Sequence, residues 1–216
     1  MASLRHSSNS LDQSIEQKKA HTVVLPRGDG YGVSGVTGTI AAALAANSSV
    51  FVARYNPSAG ARIAIIERLR LQFTTLVAFT TPVTAGRRLA LFRGAGAAAS
   101  GGAALAAVAA NAQKDTILAD TGFAPGIGGD MRIATTAALT VTGITFETDP
   151  FRTMTLSHVG AAGAFFEQLW EFSVHECHPL ILRAGQLIGI RNPVAMDAAG
   201  TWQLSVSFDW TEITPV

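Results

Sequence analysis

The densest group of chemically capable side chains is His175-Glu176-Cys177-His178. Two imidazoles, a carboxylate and a thiol can ligate a soft cation, and in an extended chain His175 and Cys177 share one side. A four-coordinate zinc site needs ligands from outside this run, and His158 is the distant candidate. The spacing matches none of the paired-ligand motifs, so the four residues read as ordinary edge or loop positions and no metal ligand is assigned. Asp29, Asp120, Asp130, Glu147 and Asp149 would suit calcium if two loops met, but no calcium-loop spacing repeats. Ser157-His158, and Ser173 with His175, pair a hydroxyl with an imidazole. No G-x-S-x-G elbow and no strand-to-helix setting accompany them. The segment GDGYGVSG, residues 28–35, is glycine-rich but lacks the lysine and hydroxyl of a phosphate loop and the spacing of a dinucleotide loop. A cupin-type metal barrel would carry histidine-rich strands, which are absent. No catalytic, cofactor-binding or metal-ligating residue is therefore assigned, no cofactor is expected, and the chain is not expected to be an enzyme.

The elements that would position such groups are strands. Trp202, Leu204, Val206, Phe208 and Trp210 alternate with Gln203, Ser205, Ser207 and Asp209. Strict period 2 of this kind is a half-buried antiparallel strand. Leu180, Leu182, Leu187 and Ile190 recur around the break Arg183-Ala184-Gly185-Gln186, and Asn192-Pro193 with Asp197-Ala198-Ala199-Gly200 return the chain, so this earlier pattern is expected to face the later one.

Upstream, residues 1–20 are polar and serine-dotted; Ser10 caps at most a short helix carrying Leu11 and Ile15, too short to stand alone. They read as a disordered arm or one that docks on a partner. His21 to Leu25 is a short strand, the glycines from Gly28 to Gly38 a loop, Ile40 to Ala46 a helical turn, and Ser49 to Tyr55 a strand ended by Asn56-Pro57. From Arg62 to Phe79, helical spacing fits Ile65, Ile66, Leu69, Phe73 and Leu76, while strand spacing fits Ile63, Ile65, Leu69, Leu71, Phe73, Val77 and Phe79. The threonines and the opposite parity of Arg68, Arg70 and Gln72 favour a strand, with a bulge near Glu67. Leu89 to Phe92 opens another strand. The segment GAGAAASGG, residues 94–102, reads as a loop and Ala103 to Asn111 as a small helix. Asp115 to Asp120 is a brief link and Gly122 to Asp130 a loop. Ile133 to Thr148 is one long β segment bent at Gly143; Met154-Leu156 and Phe165 to Glu176 follow. About eight strands and no βα repeat make the chain all-β, an antiparallel β-sandwich over residues 21–216 preceded by the arm.

Composition limits partners. Over 216 residues the net charge is +1, which gives no electrostatic footing for nucleic acid, so none is expected to bind directly. Arg68 and Arg70, or Arg87 and Arg88, fit a solvated strand face or an interface better than a polyanion site. Cys177 is a single cysteine, which excludes an intrachain disulfide and suits a reducing cytoplasm. No leader pattern or membrane-spanning apolar segment is present, so neither secretion nor a membrane partner is expected. Charged residues are 14% against 48% hydrophobic, unusual for a dissolved monomer and consistent with surface covered by neighbours. A single soluble domain with an Ala/Thr/Ser-rich exterior is the alternative.

Pro179-Leu180-Ile181-Leu182, Gly185, Ile188-Gly189-Ile190-Arg191, Gly200-Thr201-Trp202 and Phe208-Asp209-Trp210-Thr211-Glu212 together resemble the end of jelly-roll-type structural proteins of tailed bacteriophage virions. Thr37-Gly38-Thr39-Ile40, Ala42 to Ala46, Phe51 to Tyr55 and the run from Arg62 are similar in kind. The resemblance implies a jelly-roll-like fold and a non-enzymatic virion structural role as capsid decoration, collar, fibre or tail part. It further implies capsid or neck/tail subunits as partners, a homo-oligomer, preferably a homotrimer, and assembly into the virion in the host cytoplasm. A receptor- or glycan-binding fibre or tail-tip module is the alternative, and would show as a solvent-facing cluster containing Trp170, Tyr31, Tyr55 or loop carboxylates. Because the ligand set at residues 175–178 is incomplete, purified protein is expected to hold no stoichiometric zinc and to keep its thermal transition in chelator. Elemental analysis near one zinc per chain, with a chelator-induced loss of stability, would overturn this.

Overall fold

The computed structural model describes residues 29–40, 43–58, 62–80, 86–105, 121–125, 128–156, 162–172, 179–196 and 199–214. Twelve strands run through them: β1 Asp29–Val36, β2 Ser48–Arg54, β3 Ile63–Val77, β4 Arg88–Gly96, β5 Ala103–Ala104, β6 Asp130–Ile133, β7 Ile144–Phe146, β8 Arg152–Thr155, β9 Phe165–Glu171, β10 Leu180–Leu182, β11 Gln186–Asn192 and β12 Thr201–Ile213. They form two sheets with antiparallel pairing throughout. The five-stranded sheet has the order β1-β12-β3-β10 with β9 also on β3; the seven-stranded sheet has β5-β6-β2-β11-β4-β7 with β8 also on β4. The pairing is nested: β1 with β12, β2 with β11, β3 with β10 and β9, β4 with β8 and β7. Phe51 of β2 meets Phe208 of β12 edge-on at 6.1 Å, so the sheets pack face to face. The expected all-β antiparallel sandwich is thus present.

β3 is the spine of the smaller sheet. Along one side β12 pairs with it from Thr201↔Val77 to Ile213↔Ile63; along the other, β10 covers Ala64 to Ile66 and β9 covers Arg68 to Thr74. The bulge expected near Glu67 is there: Asp209 lies opposite Arg68 but Trp210 lies opposite Ile66, leaving Glu67 as the extra residue. One inserted residue reverses the alternation, so Ile66 and Leu69 both face the core, and Ala64 rather than Ile63 or Ile65 precedes them inward. Val77 is exposed rather than part of the apolar face.

Several local readings are corrected. The glycines from Gly30 to Gly35 lie in β1, whose extended backbone is fixed by register with β12 rather than by side chains of its own. Ile40 bridges to Trp202, and Ala43 and Asn47 have φ of 67° and 64°, so residues 40–46 contain no helical turn among those described. Residues 94–96 finish β4 instead of opening a loop, and Ala103–Ala104 pair with β6 as β5 instead of starting a helix; the rest of that expected helix lies outside the described residues. The long segment from Ile133 to Thr148 is divided. β6 and β7 flank opposite sides of the seven-stranded sheet, and Gly143 (φ 78°) turns the chain into β7. β11, with Leu187 and Ile190, lies in the sheet opposite β12, as the expected facing of the two patterns requires, but β10, with Leu180 and Leu182, shares the sheet of β12. The turn Arg183 to Gln186 survives, with Gln186 N–H donating to Arg183 C=O at 2.9 Å. Residues 1–20, 21–25 and 115–120 lie outside the described residues.

The core forms where β12 faces the seven-stranded sheet. Trp202, Leu204, Val206, Phe208 and Trp210 are all buried. Trp202 stacks on Phe73 at 4.9 Å, Trp210 stacks on Tyr31 at 5.4 Å, and Phe123 stands edge-on to both Phe208 and Trp210. Offset-stacked and edge-on aromatic pairs add to the burial of their large apolar surfaces. Trp202→Ala is expected to cost about 3–5 kcal/mol in urea unfolding; a change within about 0.5 kcal/mol, that of an ordinary surface substitution, would contradict this packing.

Candidate functional site

The chemically densest place among the described residues surrounds Glu212. β12 continues its inward parity from Trp202 through Trp210 to position 212, where a carboxylate occupies a site otherwise given to apolar groups and is 1% exposed. Oε1 accepts from the Thr121 hydroxyl, from Gly122 N–H at 3.0 Å and from Trp210 Nε1–H at 3.0 Å. Oε2 accepts from Tyr55 O–H at 3.2 Å and Gly122 N–H at 3.2 Å, and lies 3.4 Å from Arg62 Nη2. A buried carboxylate is tolerable only with this kind of compensation.

These donors come from four places. Tyr55 follows β2 in the larger sheet, Arg62 precedes β3, Thr121 and Gly122 open a turn, and Trp210 belongs to β12. Glu212 therefore ties the two sheets together at one end of the sandwich. Burial first, and the neighbouring Glu212 carboxylate second, hold the Tyr55 phenol protonated far above its ordinary range, with Arg62 opposing in part. With donors on both oxygens, the carboxylate is a structural anchor, with neither oxygen left open as a general base or cation ligand. Glu212 was accessible to sequence reasoning only as the next inward position of the strongest strand pattern in the chain.

The residues singled out by sequence that are among those described do not converge. His158, His175, Glu176, Cys177, His178, Ser157, Ser173 and Asp120 lie outside the described residues. Asp130 pairs with Arg132 at 2.7 Å and Glu147 with Arg93 at 2.6 Å. Asp130 opens β6 and Glu147 directly follows β7, strands four positions apart, roughly 19 Å at the usual spacing of about 4.8 Å. Asp149 sits in an exposed bend, and Asp29 is in β1 opposite Glu212 in register. Among the described residues no three His, Cys, Asp or Glu side chains group to hold a metal. Arg68 is engaged by Asp209 at 3.0 Å and Arg70 by Glu167 at 2.7 Å, while Arg87 is buried with its guanidinium 4.1 Å from the Phe79 ring centre. Tyr31, Tyr55 and Trp170 are buried, so none of them offers the solvent-facing ring on which a glycan would stack. No helix among the described residues is long and apolar enough to cross a membrane.

No protein-family model matches this chain, and no curated protein matches it.

Glu212→Gln keeps the shape but puts an amide donor against donors already in place. It is expected to destabilise by about 3–5 kcal/mol, the range for breaking a buried charged pair, and Tyr55→Phe by about 1–2 kcal/mol for one lost hydrogen bond. Both are read from urea unfolding. The raised Tyr55 pKa has a definite sign. Below the unfolded tyrosine value of about 10 its contribution is complete; above it the unfolded chain releases the phenolic proton while the folded chain does not, and stability falls. Unfolding between about pH 9 and 11 is expected to lose stability more steeply in wild type than in Tyr55→Phe, and equal slopes would refute this.

Proposed function

We propose that this chain is a non-enzymatic structural subunit of a virion, with a jelly-roll fold and a place as capsid decoration or collar component. The observation that carries the reading is the nested strand pairing. β1 to β4 alternate between the two sheets, and first pairs with last, β1/β12, then β2/β11, then β3 with β9 and β10, then β4 with β7 and β8. Folding a long antiparallel ribbon over on itself produces this order, and two interlocked Greek keys of eight strands are its usual form. β5 and β6 are then an addition beside β2, and the split pairs β9/β10 and β7/β8 are interrupted single strands.

The sequence resemblance to phage jelly-roll structural proteins points the same way, as does a buried polar centre committed to structure rather than reaction. In this role the subunit repeats by symmetry, with a homotrimer as the favoured local unit and capsid or neck proteins as neighbours. Residues 1–20, outside the described residues, are the segment whose removal tests a docking role.

Incorporation decides it. Full-length protein and a version starting at Lys19 are added to particles lacking this protein, and bound subunits are counted after sedimentation. Full-length protein is expected to co-sediment in fixed stoichiometry and the shortened version to do so less. A full-length chain that never joins particles would refute the virion role, whereas equal incorporation of both would remove only the arm's part in it.

A further inference from the structure

We infer that the outer edge of β9 is a self-association site, where β9 of a second copy pairs antiparallel and joins two five-stranded sheets into one. β9 borders the smaller sheet, and the direction of its backbone groups follows from its register on β3. Phe172 N–H donates to Glu67 C=O at 2.9 Å, and Thr75 N–H donates to Ala164 C=O at 2.8 Å at the other end. Antiparallel pairs alternate between hydrogen-bonded and open, so Trp170/Leu69, Gln168/Leu71 and Phe166/Phe73 are the bonded pairs. The N–H and C=O groups of Phe165, Glu167, Leu169 and Glu171 therefore point away from β3. Among the described residues no backbone group pairs with them. The Leu169 carbonyl instead accepts from the Gln168 side-chain amide at 3.1 Å, as an outward-facing carbonyl would.

This edge also collects apolar surface. Phe165, Phe166 and Leu169 are 67%, 37% and 43% exposed, and exposed Leu76 and Val77 end the adjoining strand β3. An edge left unpaired among the described residues, with large exposed apolar side chains, is a template for another strand.

A second copy fits by its own charge pattern. Full overlap of Phe165–Glu171 with itself sets Phe165 opposite Glu171, Phe166 opposite Trp170, Glu167 opposite Leu169 and Gln168 opposite Gln168. No two like charges lie directly opposite, and where the two Glu167 side chains come diagonally across the axis Arg70 already pairs with each at 2.7 Å. Each of the four edge-facing residues gains a bonded partner. The contact is isologous, as a two-fold requires. It rests on β9 alone and stands whether or not the virion assignment holds.

Leu169→Pro tests it, because that N–H points to the free edge, so the substitution spares the β3–β9 ladder. Light scattering is expected to give the wild type an even number of chains, two trimers joined edge to edge where the three-fold unit also forms, and Leu169→Pro half that mass, with a single cooperative unfolding transition retained. Should the proline variant fail to fold, Phe165→Lys and Leu169→Lys are expected to halve the mass equally. Hydrogen exchange on wild type supplies the direct reading: amides of Phe165, Glu167 and Leu169 are expected to be as protected as those of Phe166 and Gln168. A wild type that is monomeric or trimeric, variants of unchanged mass, or freely exchanging edge amides would each overturn the inference. Protection appearing only on mixing with particles would give the edge to a different virion protein and overturn the second-copy assignment.

Discussion

The antiparallel ladder between β3 and β12 is the constraint on which the remaining architecture depends. It spans all thirteen residues of β12, and β1, β9 and β10 attach to the smaller sheet only through one of its two strands. Its inner face carries Trp202, Leu204, Val206, Phe208 and Trp210 beside Ile66, Leu69, Leu71 and Phe73. The bulge at Glu67 is what lets both strands keep that face. In an unbulged strand Ile66 and Leu69, three residues apart, would lie on opposite sides of the sheet. The Thr211 hydroxyl donates to Glu67 Oε1, which holds the bulge from the neighbouring strand. At the same end, Glu212 links the ladder to Tyr55 beyond β2, so register, bulge and sheet-to-sheet fastening are set within a few residues of one another.

What was legible in the sequence follows from where the determining physics is local. β12 declared itself because alternation of large apolar with small polar residues is decided residue by residue. The Glu67 bulge was visible for the same reason, as a break in parity within one strand. β1 was not, since Gly30, Gly32 and Gly35 have no strand preference and take their conformation from hydrogen bonds to β12, far away in sequence. Ala103–Ala104 misled in the opposite direction, because alanine favours a helix by propensity yet here completes the border of β6. Which strands share a sheet was hidden too. β11 and β12 follow one another through a turn-rich link, but adjacency in sequence does not say whether a chain pairs back or crosses to the other layer. Glu212 illustrates the limit for site prediction: its parity was readable, but the five partners that make its burial tolerable come from distant segments.

The scarcity of charge acquires a more specific meaning from the two sheets. β2 and β11 are buried on both faces, with burial running unbroken through five and four consecutive residues. Outside β11, Gly189 allows the Phe146 ring to lie against the backbone, where an added Cβ would come within 2.8 Å of it, and Arg191 lies 4.3 Å from the same ring centre. Burial lowers the pKa of Arg191 from its ordinary value, the mark of a cation used as cover. Part of the low charge is thus consumed within the chain, by a sheet that needs apolar residues on both sides. Composition alone had suggested that neighbours cover the apolar surface, and that argument applies only where apolar residues remain outside.

Such residues are concentrated on the other sheet. β3, β9 and β12 bury one face, and their outer faces alternate charged pairs with serine, threonine and scattered large apolar groups. Arg68–Asp209 and Arg70–Glu167 sit side by side on this surface, each cation beside its anion, so the face presents little net field to attract a polyanion or repel a copy of itself. Surface ion pairs of this kind contribute little to stability. Their effect here is on association, because a two-fold contact sets every residue against its own kind of surface and tolerates no unbalanced charge near the axis. β2 and β11 are covered on both faces, whereas the other sheet is bordered, among the described residues, by β9, whose Phe165 and Leu169 are exposed. This difference between the layers follows from which strands the chain buries on both faces.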